Sequence, residues 1–171
     1  MTIAALVLAA GGSLRRQRID ATVNEVCNSR CDHVGVVLGA GASDIAPRLA
    51  GRGVTLVLNA AWEEGVASSI RTGMHWVARD EAVVIICDEP DLTSAHLDAL
   101  IAAHLATGRT VVTRHNGELG VPAVFGRASY PALAALQGSE GPWTVFDADV
   151  VIVDGPGSEG LTRQSGAMRS V

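Results

Sequence analysis

Three short segments of this chain gather residue types that do chemistry on phosphates and metal ions. The first, Ala9-Ala10-Gly11-Gly12-Ser13-Leu14-Arg15-Arg16-Gln17-Arg18, follows an apolar run. Glycines let backbone approach a ligand closely, successive N–H groups cradle phosphate oxygens, and arginines pair with them bidentately. The same residues also describe a plain tight turn with solvated arginines, and no Gly-Lys-Ser/Thr follows as a P-loop requires. The second segment is Cys87-Asp88-Glu89-Pro90-Asp91. Its three carboxylates repel one another unless something neutralises them, and Mg²⁺ held by one or two carboxylates plus substrate phosphates does so. The other reading is an acidic turn that favours the N-terminus of the next helix through its dipole. The third runs from Asn59 through Trp62-Glu63-Glu64-Gly65 to Ser68-Ser69-Ile70-Arg71-Thr72-Gly73. Free N–H groups in such a first helical turn suit an anion or the polar edge of a base, and they equally suit a simple cap.

These segments matter only if strands and helices bring them together. Near-continuous apolar runs predict strands at Ile3–Ala9, His33–Leu38, Gly53–Leu58 and Ala82–Cys87, with shorter ones at Thr110–Thr113, Val121–Phe125 and Val150–Val153. Apolar residues at helical spacing predict helices around Ile19–Cys27, Ser43–Leu49, Val66–Val77, His96–Leu105 (with Ser94 as N-cap) and Tyr130–Leu136. This alternation predicts an α/β fold: a mostly parallel sheet with a mixed edge, covered on both faces. In such sheets ligands bind beyond the carboxyl ends of the strands, where the three segments fall. The domain is expected to span residues 1–154, with the Gly- and Ser-rich stretch 155–171 as a C-terminal extension.

Composition narrows the class. The chain has 171 residues, 48% hydrophobic and 18% charged, enough apolar material for one sizeable core. The net charge of −5 argues against nucleic acid or an anionic membrane as partner. No apolar stretch approaches the roughly 20 residues of a membrane span. No basic region precedes the first apolar run, so the expected location is the cytoplasm. All 13 basic residues are arginine, which excludes chemistry that needs a lysine ammonium. Cys27, Cys31 and Cys87 form no even-numbered disulfide framework. Cys27-x3-Cys31-x-His33 lacks a fourth zinc ligand and reads as helix-core cysteines. His96 and His104 share one helix and are expected to be partly exposed; no Ser or Cys nucleophile partners them. Trp62 is placed either to stack on a ligand or to pack against the following helix.

Taken in order, several pieces resemble the MobA-like NTP transferases, and most closely the molybdenum cofactor cytidylyltransferase branch. They are Leu8-Ala9-Ala10-Gly11-Gly12-Ser13-Leu14-Arg15, Val37-Leu38-Gly39-Ala40, Asn59 through Gly73, Cys87-Asp88-Glu89-Pro90 and Gly120-Val121-Pro122-Ala123-Val124-Phe125-Gly126. The resemblance implies a three-layer, Rossmann-like nucleotidyltransferase fold. It implies that Ala9, Ala10, Gly11, Gly12, Ser13, Arg15, Asn59 and Ser69 bind the nucleotide. It assigns Asp88 and Arg15 to catalysis, Asp88 to the Mg²⁺ cofactor, and Gly120 and Pro122 to the acceptor. The implied reaction joins CMP from CTP to the terminal phosphate of molybdopterin and releases pyrophosphate. Ala9-Ala10-Gly11 favours the cytidylyl over the guanylyl branch.

The sequence also departs from the family. The family lysine, expected after Arg15, is replaced by Asp20, and the stretch to His33 is short. The Gly-Asp-x-Gly-Ala-Arg loop reads Gly138-Ser139-Glu140-Gly141-Pro142-Trp143, and the closing acidic signature is absent. A charge-assisted phosphate contact is worth about 1.5–3 kcal/mol, so an aspartate there impairs catalysis unless Arg16 or Arg18 substitutes. Two alternatives follow. One is an inactive carrier that delivers nucleotide or molybdopterin to a molybdenum hydroxylase or its maturation factor. The other is a nucleotidyltransferase with a different phosphate acceptor.

Overall fold

The first apolar run forms β1 (Ile3–Ala9), all seven residues buried, in a computed structural model that describes residues 1–87 and 89–157. The side chains of residues 13–16 and the whole of Asp88 lie outside that description. Strand pleating divides β1 between two cores: Ala5, Val7 and Ala9 face one side, and Ala4, Leu6 and Leu8 face the other. A strand buried on both faces must be apolar at every position, which is why it reads as an unbroken run.

The chain then alternates: α1 (Ser13–Cys27), β2 (His33–Leu38), α2 (Ala42–Leu49), β3 (Thr55–Leu58), α3 (Val66–Trp76), β4 (Ala82–Ile86) and α4 (Ser94–Thr107). It continues with β5 (Val111–His115), β6 (Glu118–Gly126), α5 (Tyr130–Ala134) and β7 (Val151–Asp154). Among the described residues seven strands form one sheet in the order β3-β2-β1-β4-β6-β5-β7. Only β6 runs antiparallel to its neighbours, pairing Val84 with Val124 and Val111 with Val124. The β5–β6 turn places Asn116 at φ 48° and Gly117 at φ 88°, the left-handed pair that a tight hairpin demands. Helices α1, α2 and α4 pack through Ile19, Val23, Ile45, Leu97 and Leu100 on one face. Helices α3 and α5 cover the other through Ile70, Met74 and Leu133. The result is the expected three-layer α/β architecture with a mostly parallel sheet.

Two of the boundaries that differ from the sequence expectation bear on the site. Helix α1 begins at Ser13, directly after Gly12, so the arginine-rich stretch is its first turns and not a loop. The cap of α4 is Thr93, whose hydroxyl accepts from the His96 amide at 3.1 Å. Ser94 is already helical, and its amide is taken by Glu25 Oε2 at 2.7 Å.

The candidate nucleotide and acceptor site

Strand order reverses between β1 and β4: successive strands run outward to β2 and β3 on one side, and the chain returns to β4 on the other. Val7 pairs with Ile86, so the glycine-rich turn and the acidic loop leave the sheet side by side. That is the switch point at which open α/β sheets bind ligands.

On the β1–β3 side lies a cavity of about 300 Å³, close to the lower end of the range for small-molecule pockets. Leu8, Ala10 and Gly11 form its floor, and Trp62, Glu63 and Gly65 form one wall. Val66 and Ser69 from the first turn of α3 close it. Ala9 and Ala10 are buried, and Gly11 and Gly12 rise progressively into solvent.

The wall is held by a buried amide. Asn59, only 2% exposed, donates from Nδ2 to Ser68 Oγ at 2.9 Å and to Ser69 Oγ at 3.0 Å. Its Oδ1 accepts from the Ala61 amide at 3.0 Å. Ser68 Oγ lies 2.9 Å from the Ala61 carbonyl and 2.8 Å from that of Gly65. Asn59 therefore sits beneath the cavity and fixes its wall, whereas Ser69 reaches the lining. Gly65 adopts φ 111°, and a Cβ there would collide with the Gly138 carbonyl. That carbonyl accepts from the Ala67 amide at 3.2 Å, and the Gly65 carbonyl accepts from the Ser68 amide at 3.2 Å. The first turn of α3 is thus not the open set of N–H donors that the sequence suggested. The Ala67 amide docks the Gly138 loop, and the Ser68 amide turns back to Gly65. Arg71 reinforces this junction, donating to the Leu136 carbonyl at 2.6 Å and to Glu64 Oε2 at 3.0 Å. Trp62 packs on the turn that follows β2. Its Cβ lies 2.5 Å from where a Gly39 Cβ would stand, so it packs on that glycine, and it also lines the cavity.

On the β4–β7 side, Glu89 and Pro90 border a second recess of about 270 Å³, with Arg18 of α1 opposite them. Asp20, the residue at the family lysine position, is turned elsewhere. Its carboxylate pairs with Arg48 and lies 3.3 Å from Arg52, between α1 and α2. It therefore faces the junction of α1 with α2, and Arg18 is an α1 cation that lines the recess with Glu89. Asp88 itself lies outside the described residues, as do the side chains of Ser13 and Arg15. Among the described residues no group of three or more His, Cys, Asp or Glu side chains is arranged to hold a metal. The donors that the acidic loop offers around Asp88 are carboxylate oxygens, the chemistry a hard divalent cation takes.

Gly120 and Pro122 sit beside this loop on β6. The two histidines of α4 were expected to be partly exposed. His96 and His104 are both buried, at 8% and 4% exposure, because each finds a partner. His96 Nε2 lies 2.9 Å from Thr113 Oγ1, and His104 Nδ1 lies 2.7 Å from the Arg109 carbonyl. Burial, with a smaller contribution from His115, holds the His96 pKa below its ordinary value. The cysteine reading also changes: Cys27 is exposed at the end of α1 and Cys31 lies in the following loop. Burial pushes the Cys31 thiol up to about 11, and His33 faces Asp80 at 3.8 Å.

Comparison with known proteins agrees with this geometry. The profile of the MobA-like NTP transferase domain matches residues 5–153. The structure of Rv0371c from Mycobacterium tuberculosis in complex with manganese superposes with a TM-score of 0.76 at 26% identity, covering 91% of this chain and 90% of that one. A nucleotidyl transferase from Methanothermobacter thermautotrophicus gives 0.70 at 22% identity, with coverages of 84% and 81%. The 4-diphosphocytidyl-2C-methyl-D-erythritol synthase of Anaerococcus prevotii gives 0.71 at 17% identity, with coverages of 90% and 86%. The last two likenesses are of fold. A search of curated proteins finds no match. Among the described residues no helix is long and apolar enough to cross a membrane. With the switch-point cavity and the match over residues 5–153 together, the chain belongs to the MobA-like NTP transferase family.

Proposed function

We propose that this NTP transferase is a Mg²⁺-dependent cytidylyltransferase acting on molybdopterin. The observation that carries the reading is the cavity between the β1 turn and the first turn of α3, at the end of the strand that pairs with β4. Its volume suits a pyrimidine nucleoside, with Trp62 positioned to lie against the base and Gly11, Gly12, Ser13 and Arg15 following the phosphates outward. Asp88 is the residue that would hold Mg²⁺, which supplies charge neutralisation at the phosphates. The manganese in the mycobacterial relative supports a divalent ion in this fold. The synthase from Anaerococcus supports a cytidine nucleotide.

In the transfer, a terminal phosphate oxygen of molybdopterin attacks the α-phosphorus of CTP. A new P–O bond forms, the bond from the α-phosphorus to the bridging oxygen breaks, and pyrophosphate leaves with the electron pair. The protein's work in such chemistry is positioning and electrostatic stabilisation. Gly120 and Pro122 present the acceptor, and Arg15 and Arg18 offset the developing charge.

The test is pyrophosphate release from CTP or GTP with molybdopterin and Mg²⁺. CTP-dependent release that Asp88→Asn abolishes is the expected result. Release with CTP that depends on a different phosphate acceptor would replace molybdopterin while retaining the transferase. Binding of CTP with no release from any acceptor would make the chain a carrier, the outcome favoured if Arg18 does not replace the family lysine.

A further inference from the structure

The pairing between β5 and β6 skips. Val112 faces Ala123, but the next residue, Thr113, faces Gly120, leaving Val121 and Pro122 as a bulge opposite no ladder partner. Bulges re-aim a strand and cluster beside active sites. A bulge frees backbone carbonyls that must be satisfied some other way. Here two side chains of β5 on the same face do it. Thr113 Oγ1 donates to the Pro122 carbonyl at 2.6 Å and is itself held by His96 Nε2 at 2.9 Å. His115 Nε2 lies 3.3 Å from the Val121 carbonyl.

His115 also reaches the neighbouring element. The same Nε2 is 3.5 Å from Glu89 Oε2 in the acidic loop after β4. On its other side the ring rests against Gly155 at the end of β7, where a Cβ would come within 2.7 Å of Nδ1 and Cε1. One imidazole is thus seated among the acidic loop, the bulge and the last strand.

Building on the function proposed above, we infer that His115 is a positioning residue for transfer. It fixes the distance between the acidic loop and the Gly120–Pro122 bulge, and hence between the nucleotide's α-phosphorus and the acceptor. The geometry gives it no part in holding the nucleotide base, whose cavity lies on the other side of β1.

The inference is tested with His115→Ala, His115→Gln and Gly155→Ala. Displacement by about an ångström costs about 10²-fold in rate, so His115→Ala is expected to lose up to that factor in kcat with CTP, Mg²⁺ and molybdopterin. CTP affinity measured by calorimetry without Mg²⁺ stays unchanged. His115→Gln, which keeps an N–H donor of similar reach, recovers most of the rate. Gly155→Ala, which keeps the imidazole but pushes it, repeats the loss. Equal losses of kcat and CTP affinity, or no loss in His115→Ala, overturn the inference.

Hydrogen exchange separates this claim from the function it rests on. In His115→Ala, amides of residues 86–92 and 118–124 should open together, and His115→Gln should restore both. This holds whether or not the wild-type protein releases pyrophosphate. Failure of release alone counts against the function; failure of the two segments to open together counts against the role of His115.

Discussion

On the β1–β3 side of the sheet the site is built from backbone and small residues. On the β4–β7 side it is built from side chains that reach between strands. The cavity proposed for the nucleotide takes its floor from Ala10 and Gly11 and its wall from a loop pinned by one buried amide, that of Asn59. The side proposed for the acceptor takes its shape from Thr113 and His115, which satisfy carbonyls that the bulge removes from the ladder, with His96 holding Thr113. The first arrangement centres on that buried amide, with the Gly138 loop docked against the first turn of α3. The second runs through α4, β5 and the bulge of β6, and it includes His96, whose pKa burial holds below its ordinary value.

The sharpest break of this comparison is Gly65→Val. It combines a strained positive φ, costing about 1–3 kcal/mol, with a collision against the Gly138 carbonyl. A loss of about 3 kcal/mol in denaturant unfolding is expected, together with loss of CTP binding. Next is Asn59→Ala, which leaves Ser68, Ser69 and the Ala61 amide without their buried partner. A loss of about 2 kcal/mol is expected. Weaker CTP binding in the same variant would confirm that Asn59 acts through the wall and not through the ligand.

The acceptor side should instead answer to pH. Burial lowers the His96 pKa below its ordinary 6.5, so the native state takes up a proton less readily than the unfolded chain. Stability is then full above about pH 6.5 and declines as the pH falls below it towards the lowered native value. Melting curves between pH 7.5 and 5.5 should show this decline, and His96→Gln should flatten it. A decline of equal slope in the variant would assign the effect elsewhere.

The smallest effect belongs to Asp20→Asn. Its carboxylate is about one-third exposed between α1 and α2, paired with Arg48 and Arg52. Solvent-screened pairs of this kind contribute under about 1 kcal/mol. CTP affinity should not change, and a large gain in affinity would show that Asp20 repels phosphate after all.

Much of the fold was legible because burial on both sheet faces writes strands as unbroken apolar runs. Ile3–Ala9 and Ala82–Ile86 are the plainest cases. The hairpin went unread, although Asn116-Gly117 signals it, since few other dipeptides accept two positive φ values. The helical start at Ser13 was obscured because the first turns of α1 carry arginines and few apolar residues. In the site, the glycine turn and the Asn59–Gly73 segment stood out because close backbone approach restricts residue type. The roles within that segment did not. Asn59 and Ser68 look like ligand-binding groups in sequence, yet they spend their hydrogen bonds on each other. The histidines were misplaced for a related reason. His96 lies on a helix among apolar residues, and nothing local announces that Thr113, 17 residues on, will receive it. Nor does spacing reveal the bulge that makes His115 useful.

The central claim, a nucleotide pocket on the β1–β3 side, is tested most directly by calorimetric titration with CTP and GTP, each with and without Mg²⁺. The account predicts tighter binding of CTP, strengthened by Mg²⁺, lost in Gly65→Val and insensitive to Asp20→Asn. Absence of binding by either nucleotide, or binding that survives Gly65→Val in a folded protein, would contradict it.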